Sequence, residues 1–275
     1  MSRTRTAVRS LLPRAVVKAV RRARGVKLTY GFRGDFPTWA AAAAEAGGYH
    51  DPYILEKTAK AASQVRSGTA AFERDSMLFD EIQYSWPVLA GLLWAASNSG
   101  NELNVLDFGG SLGTSYFQNR AFLEHVAHFR WNIVEQAHYV ARGRAEFETP
   151  ALRFYESVDA CVAETGPSTV LVSGSLGYVH QPYALLDQLV GLECPYLIFD
   201  RLAFLPDRDR ISIQRVRNHI YGASYPVWFL SEKRFRAVLD VQYTLMAEFE
   251  ALEGLIDLGD IVGQSKGFIF RARSA

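Results

Sequence analysis

Cysteine, methionine and long apolar runs are scarce in this chain of 275 residues. Its two cysteines, Cys161 and Cys194, are too few for a disulfide framework, and their spacing does not indicate a metal site. No apolar run approaches the roughly 20 residues that cross a bilayer as a helix. These absences argue against a disulfide-rich secreted domain and a membrane-spanning protein, and they predict a reduced protein of the cytoplasm.

Acidic residues are missing from residues 1–27, which hold nine lysines and arginines. The rest of the chain has 21 basic and 29 acidic residues, so the net charge of +1 conceals a basic arm on an acidic body. Apolar residues recur in the arm at helical spacing, which predicts a basic amphipathic helix. Such a helix either attaches to an anionic membrane surface or packs on the body with its charged face solvated, and the pattern leaves both open. Basic and aromatic residues do not interleave in the body, so no nucleic-acid partner is predicted.

The remaining length predicts one α/β domain with an extension. Residues 28–101 indicate a helical N-terminal extension or cap, with helices predicted over residues 52–66 and 86–96. From Asn104 onward predicted strands and helices alternate. This alternation predicts a ligand-binding domain over residues 102–275, built on a doubly wound, mainly parallel sheet with helices on both faces.

Residues 104–117 contain a short apolar run that ends in an acid, a glycine-dense turn and the start of a predicted helix. This order is typical of a strand, loop and helix that hold a nucleotide, although a plain β-turn before a helix is the alternative. The glycines of the turn are Gly109, Gly110 and Gly113. Ser111 takes the place of a central glycine, which leaves the backbone path of the loop open. Asp107 favours a ligand with positive charge or ribose hydroxyls, and S-adenosylmethionine (SAM) has both.

Polar side chains follow the next predicted strands where each strand ends. Glu135 ends the second strand, where its carboxylate can accept hydrogen bonds from both ribose hydroxyls or can simply cap the following helix. Further candidates for cofactor binding stand at the ends of the third and fourth strands: Glu156 and Ser157, then Ser173, Gly174 and Ser175. The carboxyl ends of parallel strands meet at one edge of a sheet, so we expect all these residues to form one site.

A general base is expected near the same edge. His180 follows the fourth strand and is the first choice, because its ordinary pKa of about 6.5 is close to working pH. Asp200 ends the fifth strand and is the second, with Arg201 as a partner that keeps it ionised or grips an anionic acceptor. A capping or surface histidine and a structural salt bridge are the respective alternatives. Tyr225 and His219 are candidates for a cap over the acceptor, although ordinary aromatic packing is the default interpretation of this segment.

In this order the parts resemble a class I SAM-dependent methyltransferase, with a seven-stranded sheet whose last strand is antiparallel. More narrowly, residues 27–272 resemble a methyltransferase family encoded in surface-polysaccharide and O-antigen gene clusters. The narrower resemblance rests on Tyr30-Gly31-Phe32 with Trp39, Gly48-Tyr49, Glu73-Arg74-Asp75-Ser76, the Asp107 loop, residues 173–178, Asp200-Arg201 and residues 223–228. It implies SAM as methyl donor, S-adenosylhomocysteine (SAH) as product and an acceptor that is a small molecule or glycan precursor, linked or not to a nucleotide or lipid.

The methylated atom is predicted to be a sugar oxygen. Ser173 stands where many methyltransferases have an acid or asparagine, and no Asn-Pro-Pro-Tyr signature of amino-group methylation is present. The basic arm would suit a lipid-linked acceptor at the inner membrane face. A catalytically silent scaffold protein of a glycan-assembly complex is the alternative. A nicotinamide-dependent oxidoreductase conflicts with Asp107 and with the glycine spacing.

Overall fold

The computed structural model describes residues 30–48, 52–217, 220 and 222–273. The predicted basic helix within residues 1–27 and the candidate His219 lie outside the described residues, so membrane contact and that part of the acceptor cap stay predictions. No helix in the described ranges has the length and apolar character needed to span a membrane.

Strands and α-helices alternate along most of the described chain. The strands are β1 (Gly31–Phe36), β2 (Phe72–Arg74), β3 (Met77–Phe79), β4 (Glu102–Phe108), β5 (His128–Val134), β6 (Leu152–Tyr155), β7 (Thr169–Ser173), β8 (Tyr196–Leu205), β9 (Arg210–Arg215), β10 (Ser224–Ser231), β11 (Tyr243–Asp257) and β12 (Val262–Ala272). The helices are α1 (Trp39–Glu45), α2 (Pro52–Arg66), α3 (Trp86–Asn98), α4 (Thr114–Leu123), α5 (Ala137–Glu146), α6 (Val158–Thr165), α7 (Pro182–Val190) and α8 (Glu232–Leu239). A short 3-10 helix covers Leu176–Tyr178.

The centre of the sheet is parallel and has the order β6-β5-β4-β7-β8. The strands of this centre consist largely of apolar residues, as expected for strands that helices cover on both faces. The chain proceeds outward from β4 in both directions, first through β5 and β6 and then through β7 and β8. Open α/β sheets bind ligands at such a reversal, beside the carboxyl ends of the strands. The residues predicted to bind a cofactor after β4 and β5 therefore lie at the point of the sheet where ligand binding is expected.

The last strand is antiparallel, and the predicted α/β fold class is confirmed. β12 pairs antiparallel with β8 on one side and with β11 on the other. Both strands are longer than the alternating segments over residues 241–249 and 267–272 predict. They pair beyond those segments because β11 continues through an irregularity between Glu250 and Leu255.

The sheet is larger than the seven strands that the resemblance implies. It has ten strands, because β1, β9 and β10 extend it beyond the carboxyl half of β8. The sequence predicts a long irregular segment over residues 206–228. This prediction is wrong, because β9 and most of β10 fall in that range and form an antiparallel pair. Ile211 and Ile213 of β9 and Val227 of β10 are buried, which supplies the apolar contact that holds the pair to the body. Residues 30–39 are rich in aromatics and glycine, which predicts a loop, but they contain β1 instead.

A separate two-stranded sheet precedes the parallel centre. β2 and β3 are joined by Asp75 and Ser76, whose φ angles are 53° and 63°. Two consecutive left-handed residues match the tight turns that join right-twisted antiparallel strands. From the sequence, the three charges at residues 73–75 between apolar residues predict either an ion-paired helix turn or a wall of the active site. The segment is a hairpin, so the helix turn is wrong.

The helices before β4 pack on the same core as the sheet. The predicted helix over residues 52–66 is confirmed as α2, and the one over residues 86–96 is confirmed within α3. Ala62 of α2, Leu92 of α3 and Val105 of β4 belong to one apolar cluster. The division between an extension at residues 28–101 and a domain at residues 102–275 stays a prediction.

Candidate functional site

The loop between β4 and α4 has three residues in the left-handed region. The φ angles of Gly109, Ser111 and Gly113 are 72°, 55° and 107°. Gly109 donates its N–H to the Val134 carbonyl over 2.9 Å, which ties the loop to the end of β5. Ser111 thus adopts the path that a glycine takes more easily, at a cost of about 1 kcal/mol for its Cβ. The substitution leaves the turn in place.

Glycine is required in this loop because other protein groups approach it closely. A Cβ on Gly110 would collide with the Asp107 carboxylate, and a Cβ on Gly109 would collide with the side chain of Ser175. Ser175 also donates its hydroxyl to the Phe108 carbonyl over 2.6 Å. The loop is therefore fixed between the end of β4 and the segment that follows β7.

Asp107 is a buried carboxyl group without an ion-pair partner among the described residues. It is 1% exposed and accepts a hydrogen bond of 2.9 Å from the Trp131 indole N–H. Burial raises its pKa to about 7, the Trp131 hydrogen bond opposes this rise, and nearby Glu135 adds to it. A negative charge at this position is poorly compensated by the protein itself, which is the condition that favours a cationic ligand.

Replacing Asp107 with asparagine is expected to stabilise the ligand-free protein at pH 8 and to leave it nearly unchanged at pH 4. The pKa of Asp107 is higher folded than unfolded, so its contribution is fully present below pH 4 and is lost as pH rises through about 7. The largest cost is about 4 kcal/mol at 1.36 kcal/mol for each pKa unit, and relaxation would leave about 2 kcal/mol.

Thermal unfolding of Asp107→Asn and the unchanged protein at pH 4 and pH 8 measures this effect. We expect the variant to melt about 5 °C higher at pH 8, from the usual relation between free energy and melting temperature. Asparagine can still accept the Trp131 hydrogen bond, so the difference isolates the charge. An unchanged melting temperature at pH 8 would show that Asp107 is not an uncompensated charge.

Glu135 meets the glycine loop from the neighbouring strand. Its carboxylate accepts the N–H of Gln136 over 2.8 Å and also the backbone N–H of Ser111. Burial raises its pKa, and both hydrogen bonds oppose the rise. The side chain is half-buried, so part of the carboxylate still faces solvent beside the loop. Glu135 and the loop therefore form one surface, while the bond to Gln136 also fits the capping alternative.

The residues predicted at the third and fourth strand ends take different positions. Glu156 is exposed, and Ser157 caps α6 by accepting the Ala160 N–H over 3.1 Å. Ser173 donates its hydroxyl to an Asp200 carboxylate oxygen over 3.3 Å, and Gly174 donates its N–H to the Asp200 carbonyl over 2.9 Å. The end of β7 is thereby joined to the middle of β8 and, through Ser175, to the glycine loop. The expectation that Asp200 ends its strand is wrong, because β8 continues to Leu205.

Asp200 and Arg201 are neighbours in sequence with different partners. Asp200 is 4% exposed, and burial raises its pKa while Arg201 opposes the rise. The Arg201 guanidinium instead forms ion pairs with Glu253 of β11 at 2.7 Å and with Asp75 of the hairpin at 3.1 Å. These two carboxylates raise the pKa of Arg201 despite its burial. Arg201 thus connects β8, β11 and the β2–β3 hairpin. The Asp200 carboxylate forms no direct ion pair with it.

His180 lies on a separate aromatic surface. It is exposed, and its ring is 6.1 Å from that of Trp39, which stacks on Trp228 at 6.2 Å. Tyr225, a predicted cap residue, packs edge-on against Tyr178 at 5.4 Å. Aromatic contacts thus form two groups, His180 with Trp39 and Trp228 and Tyr178 with Tyr225, and no described contact joins His180 to Asp200.

Glu73 is a buried acid beside the glycine loop that was not among the predicted cofactor-binding residues, although its charged segment had a wall of the active site as one interpretation. It is 3% exposed, and one of its carboxylate oxygens accepts a hydrogen bond from the hydroxyl of Thr114, the first residue of α4. The other oxygen, Oε2, is buried without a hydrogen-bond partner in the structure. Its presence in a charged segment between apolar residues was the available signal. Within the described residues, no group of three or more histidine, cysteine or acidic side chains has the arrangement of a metal site.

Comparisons with known proteins give matches among solved structures alone. No family model matches the chain, and no curated protein matches it. The N-terminal domain of EvdMO1, crystallised in the presence of SAH and D-fucose, is 17% identical over 74% of this chain and 90% of that chain, with a TM-score of 0.45. Magnesium protoporphyrin IX methyltransferase (ChlM) from Synechocystis PCC 6803 with bound SAM is 14% identical over 82% and 87%, with a TM-score of 0.41.

A third match is the CcbJ methyltransferase from Streptomyces caelestis. It is 13% identical over 67% of this chain and 96% of that chain, with a TM-score of 0.42. At these identities and TM-scores the comparisons assign neither a family nor an activity to the chain.

Proposed function

We propose that the chain is a SAM-dependent methyltransferase. The observation that carries the proposal is the meeting of two acids with the glycine loop at the point where the sheet order reverses. Asp107 lies beneath the loop, and Glu135 binds the Ser111 amide at its side. A carboxylate beside a glycine loop can accept hydrogen bonds from ribose hydroxyls, and two raised carboxyl pKa values favour a ligand with positive charge.

The donor groups present fit SAM better than a purely anionic nucleotide. SAM has a ribose diol, a sulfonium and an ammonium group, whereas a diphosphate bridge would bring negative charge toward Asp107 and Glu135. At 4 to 6 Å like charges oppose each other by several kcal/mol at the effective dielectric constant of partly buried sites. The residues that would hold SAM are Glu135 at the ribose, the loop at residues 109–113 and Asp107 beneath it.

When bound, SAM supplies an electrophilic methyl group that needs little further activation. The task of the chain is then to align an acceptor oxygen with the S–CH₃ bond, to exclude water and to remove a proton from the acceptor hydroxyl. We assign proton removal to Asp200, because it is a buried carboxylate in the middle of β8, opposite the last residue of β7, and lacks a direct ion pair. Ser173 orients it through the hydroxyl hydrogen bond. His180 is the second candidate.

The acceptor is proposed to be a sugar hydroxyl, free or linked to a nucleotide or lipid, in surface-polysaccharide biosynthesis. Support comes from two groups of aromatic side chains near the end of β7 and on β10, Trp39 with Trp228 and Tyr178 with Tyr225. Aromatic faces combine a large apolar area with polar tips, which suits the C–H faces and hydroxyls of a sugar ring. The resemblance to methyltransferases of polysaccharide gene clusters supports the same class of acceptor.

Calorimetry with SAH and NAD in parallel tests the proposed cofactor. We expect SAH to bind the unchanged protein with a dissociation constant in the micromolar range, or about −8 kcal/mol, and NAD to give no measurable heat of binding. Tight binding of NAD without binding of SAH would overturn the proposal. SAH binding with no methyl transfer to any sugar acceptor would instead favour the scaffold alternative.

A further inference from the structure

The β2–β3 hairpin brings a buried acid to the start of α4. Glu73 lies on β2, and its Oε1 accepts a hydrogen bond from the Thr114 hydroxyl. Thr114 directly follows Gly113, the last glycine of the loop. Glu73 therefore lies at the opposite end of the loop segment from Ser111, whose amide binds Glu135. Glu135 thus accepts a hydrogen bond at the middle of the loop, and Glu73 accepts one where the loop becomes a helix.

The Glu73 carboxylate is incompletely satisfied within the protein. The Ser76 backbone N–H and the Thr114 hydroxyl bind it, yet Oε2 is buried and has no partner. Burial raises its pKa to about 7, and nearby Asp75 adds to this effect. Arg201 and Arg74 are nearby cations, but neither forms an ion pair with Glu73, and the ion pairs of Arg201 are with Asp75 and Glu253. A buried, ionised carboxylate with one oxygen lacking a hydrogen bond lowers the stability of the folded protein unless a cation that donates a hydrogen bond binds to that oxygen.

The hairpin that carries Glu73 is fixed in place. Arg201 connects Asp75 of the turn to Glu253 of β11. The hydroxyls of Ser76 and Thr58 lie 2.8 Å apart in a buried hydrogen bond that joins the turn to α2. Contacts with β11, α2 and α4 therefore fix the hairpin, and with it the position of the unpaired Oε2 of Glu73.

We propose that Glu73 binds the α-ammonium group at the methionine end of SAM, a role that rests on the proposed function. A ligand whose ribose lies at Glu135 and whose chain follows the loop toward α4 would bring its amino-acid end to Thr114 and Glu73. An ammonium group has three donors and a full positive charge, so it satisfies Oε2 and neutralises the carboxylate in one contact. The hairpin then completes the cofactor site from outside the parallel sheet.

A variant and a matched ligand together test the role of Glu73. Glu73→Gln keeps the shape and an acceptor for Thr114 but removes the charge. The matched ligand is SAH in which hydrogen replaces the α-amino group. We expect Glu73→Gln to bind SAH about 10- to 100-fold more weakly by calorimetry and to bind the deaminated ligand with unchanged affinity. The unchanged protein should discriminate between the two ligands by the same factor.

Controls separate this inference from the proposed function. Asp80→Asn removes one exposed acid just after the hairpin and should leave both affinities unchanged. Equal binding of SAH by Glu73→Gln and the unchanged protein overturns the role of Glu73 while the cofactor assignment stands. Equal weakening for both ligands shows a structural role alone and also overturns it. If the unchanged protein binds neither ligand, the cofactor assignment itself fails.

A second variant covers the case in which Glu73→Gln does not fold. Glu73→Asp retains the charge on a shorter side chain. We expect it to bind SAH with intermediate affinity and still to discriminate against the deaminated ligand. If Glu73→Asp or the unchanged protein binds SAH and the deaminated ligand with equal affinity, Glu73 does not contact the ammonium group.

Discussion

Replacement of Glu135 with alanine is expected to weaken SAH binding about 100-fold. A carboxylate that accepts both ribose hydroxyls makes two charge-assisted hydrogen bonds, each worth about 1.5 to 3 kcal/mol, and part of that energy replaces bonds to water. A net loss of about 2.7 kcal/mol corresponds to a 100-fold rise in the dissociation constant. Titration calorimetry at pH 7.5 with SAH measures it directly.

The loss has to be separated from a disturbed loop, because Glu135 also accepts the Ser111 amide. The 2′-deoxy analogue of SAH provides this separation, since it lacks one of the hydroxyls. The unchanged protein should bind SAH more tightly than the analogue, and Glu135→Ala should bind the two alike. Glu124→Ala, which removes an exposed acid beyond α4, is the matched control and should bind SAH normally. Continued preference of Glu135→Ala for SAH over the analogue would remove Glu135 from the ribose site.

The part of this site that could be predicted from the sequence lies within short segments. Asp107 and Glu135 each end an apolar run, and parallel strands place their carboxyl ends at one edge, so local pattern was enough to bring the two together. Ser111 was the uncertain point, and its φ of 55° shows that serine takes the left-handed position itself. Local alternation thus predicted both the strands and the loop that follows them.

The rest of the site depends on contacts between distant segments. The bond from Thr114 to Glu73 spans 41 positions, and the one from Arg201 to Asp75 spans 126. No periodicity reports such pairs, because each partner is chosen by packing in the folded state. The hairpin turn gave only a weak signal, since its two residues are Asp75 and Ser76 and neither is the glycine that such turns favour.

The missed pair of β9 and β10 had a usable signal. Ile211 and Ile213 alternate with polar residues over six positions, which is typical of a strand. The strand was missed because Arg210 begins it, and a charged residue is not expected inside a buried strand. In the structure the Arg210 side chain is 3% exposed. The structure compensates this charge with an ion pair of 2.7 Å to Asp260 and with hydrogen bonds to the Gly34 carbonyl. A partner 50 residues away therefore decides whether the segment can form a strand.

Replacement of Asp200 with asparagine is expected to lower methyl transfer by about 100- to 10,000-fold, the usual contribution of a general base. Asparagine still accepts the Ser173 hydroxyl but cannot take a proton, so SAH affinity should stay within about 3-fold. The assay follows a tritium-labelled methyl group from SAM to a panel of nucleotide-linked sugars. Normal transfer by the variant would exclude Asp200 as the base.

The pH dependence distinguishes proton removal from a structural effect. Burial raises the pKa of Asp200 above its ordinary value, so a base at this position should lose activity as the pH falls through that raised value. The rate has to be measured at saturating SAM, because Asp107 and Glu135 also have raised pKa values and would alter cofactor binding. We expect the acidic limb in the unchanged protein and its absence in the residual activity of Asp200→Asn.

His180→Ala, assayed beside Asp200→Asn, decides between the two candidate bases. His180 is exposed and lies against Trp39, so its removal should raise the KM for a sugar acceptor more than it lowers kcat. If turnover falls by about 100-fold or more in His180→Ala and stays normal in Asp200→Asn, the assignment is reversed. Normal turnover by both variants would mean that neither side chain removes the proton. Since SAM already activates the methyl group, that result would favour an acceptor atom that needs no base.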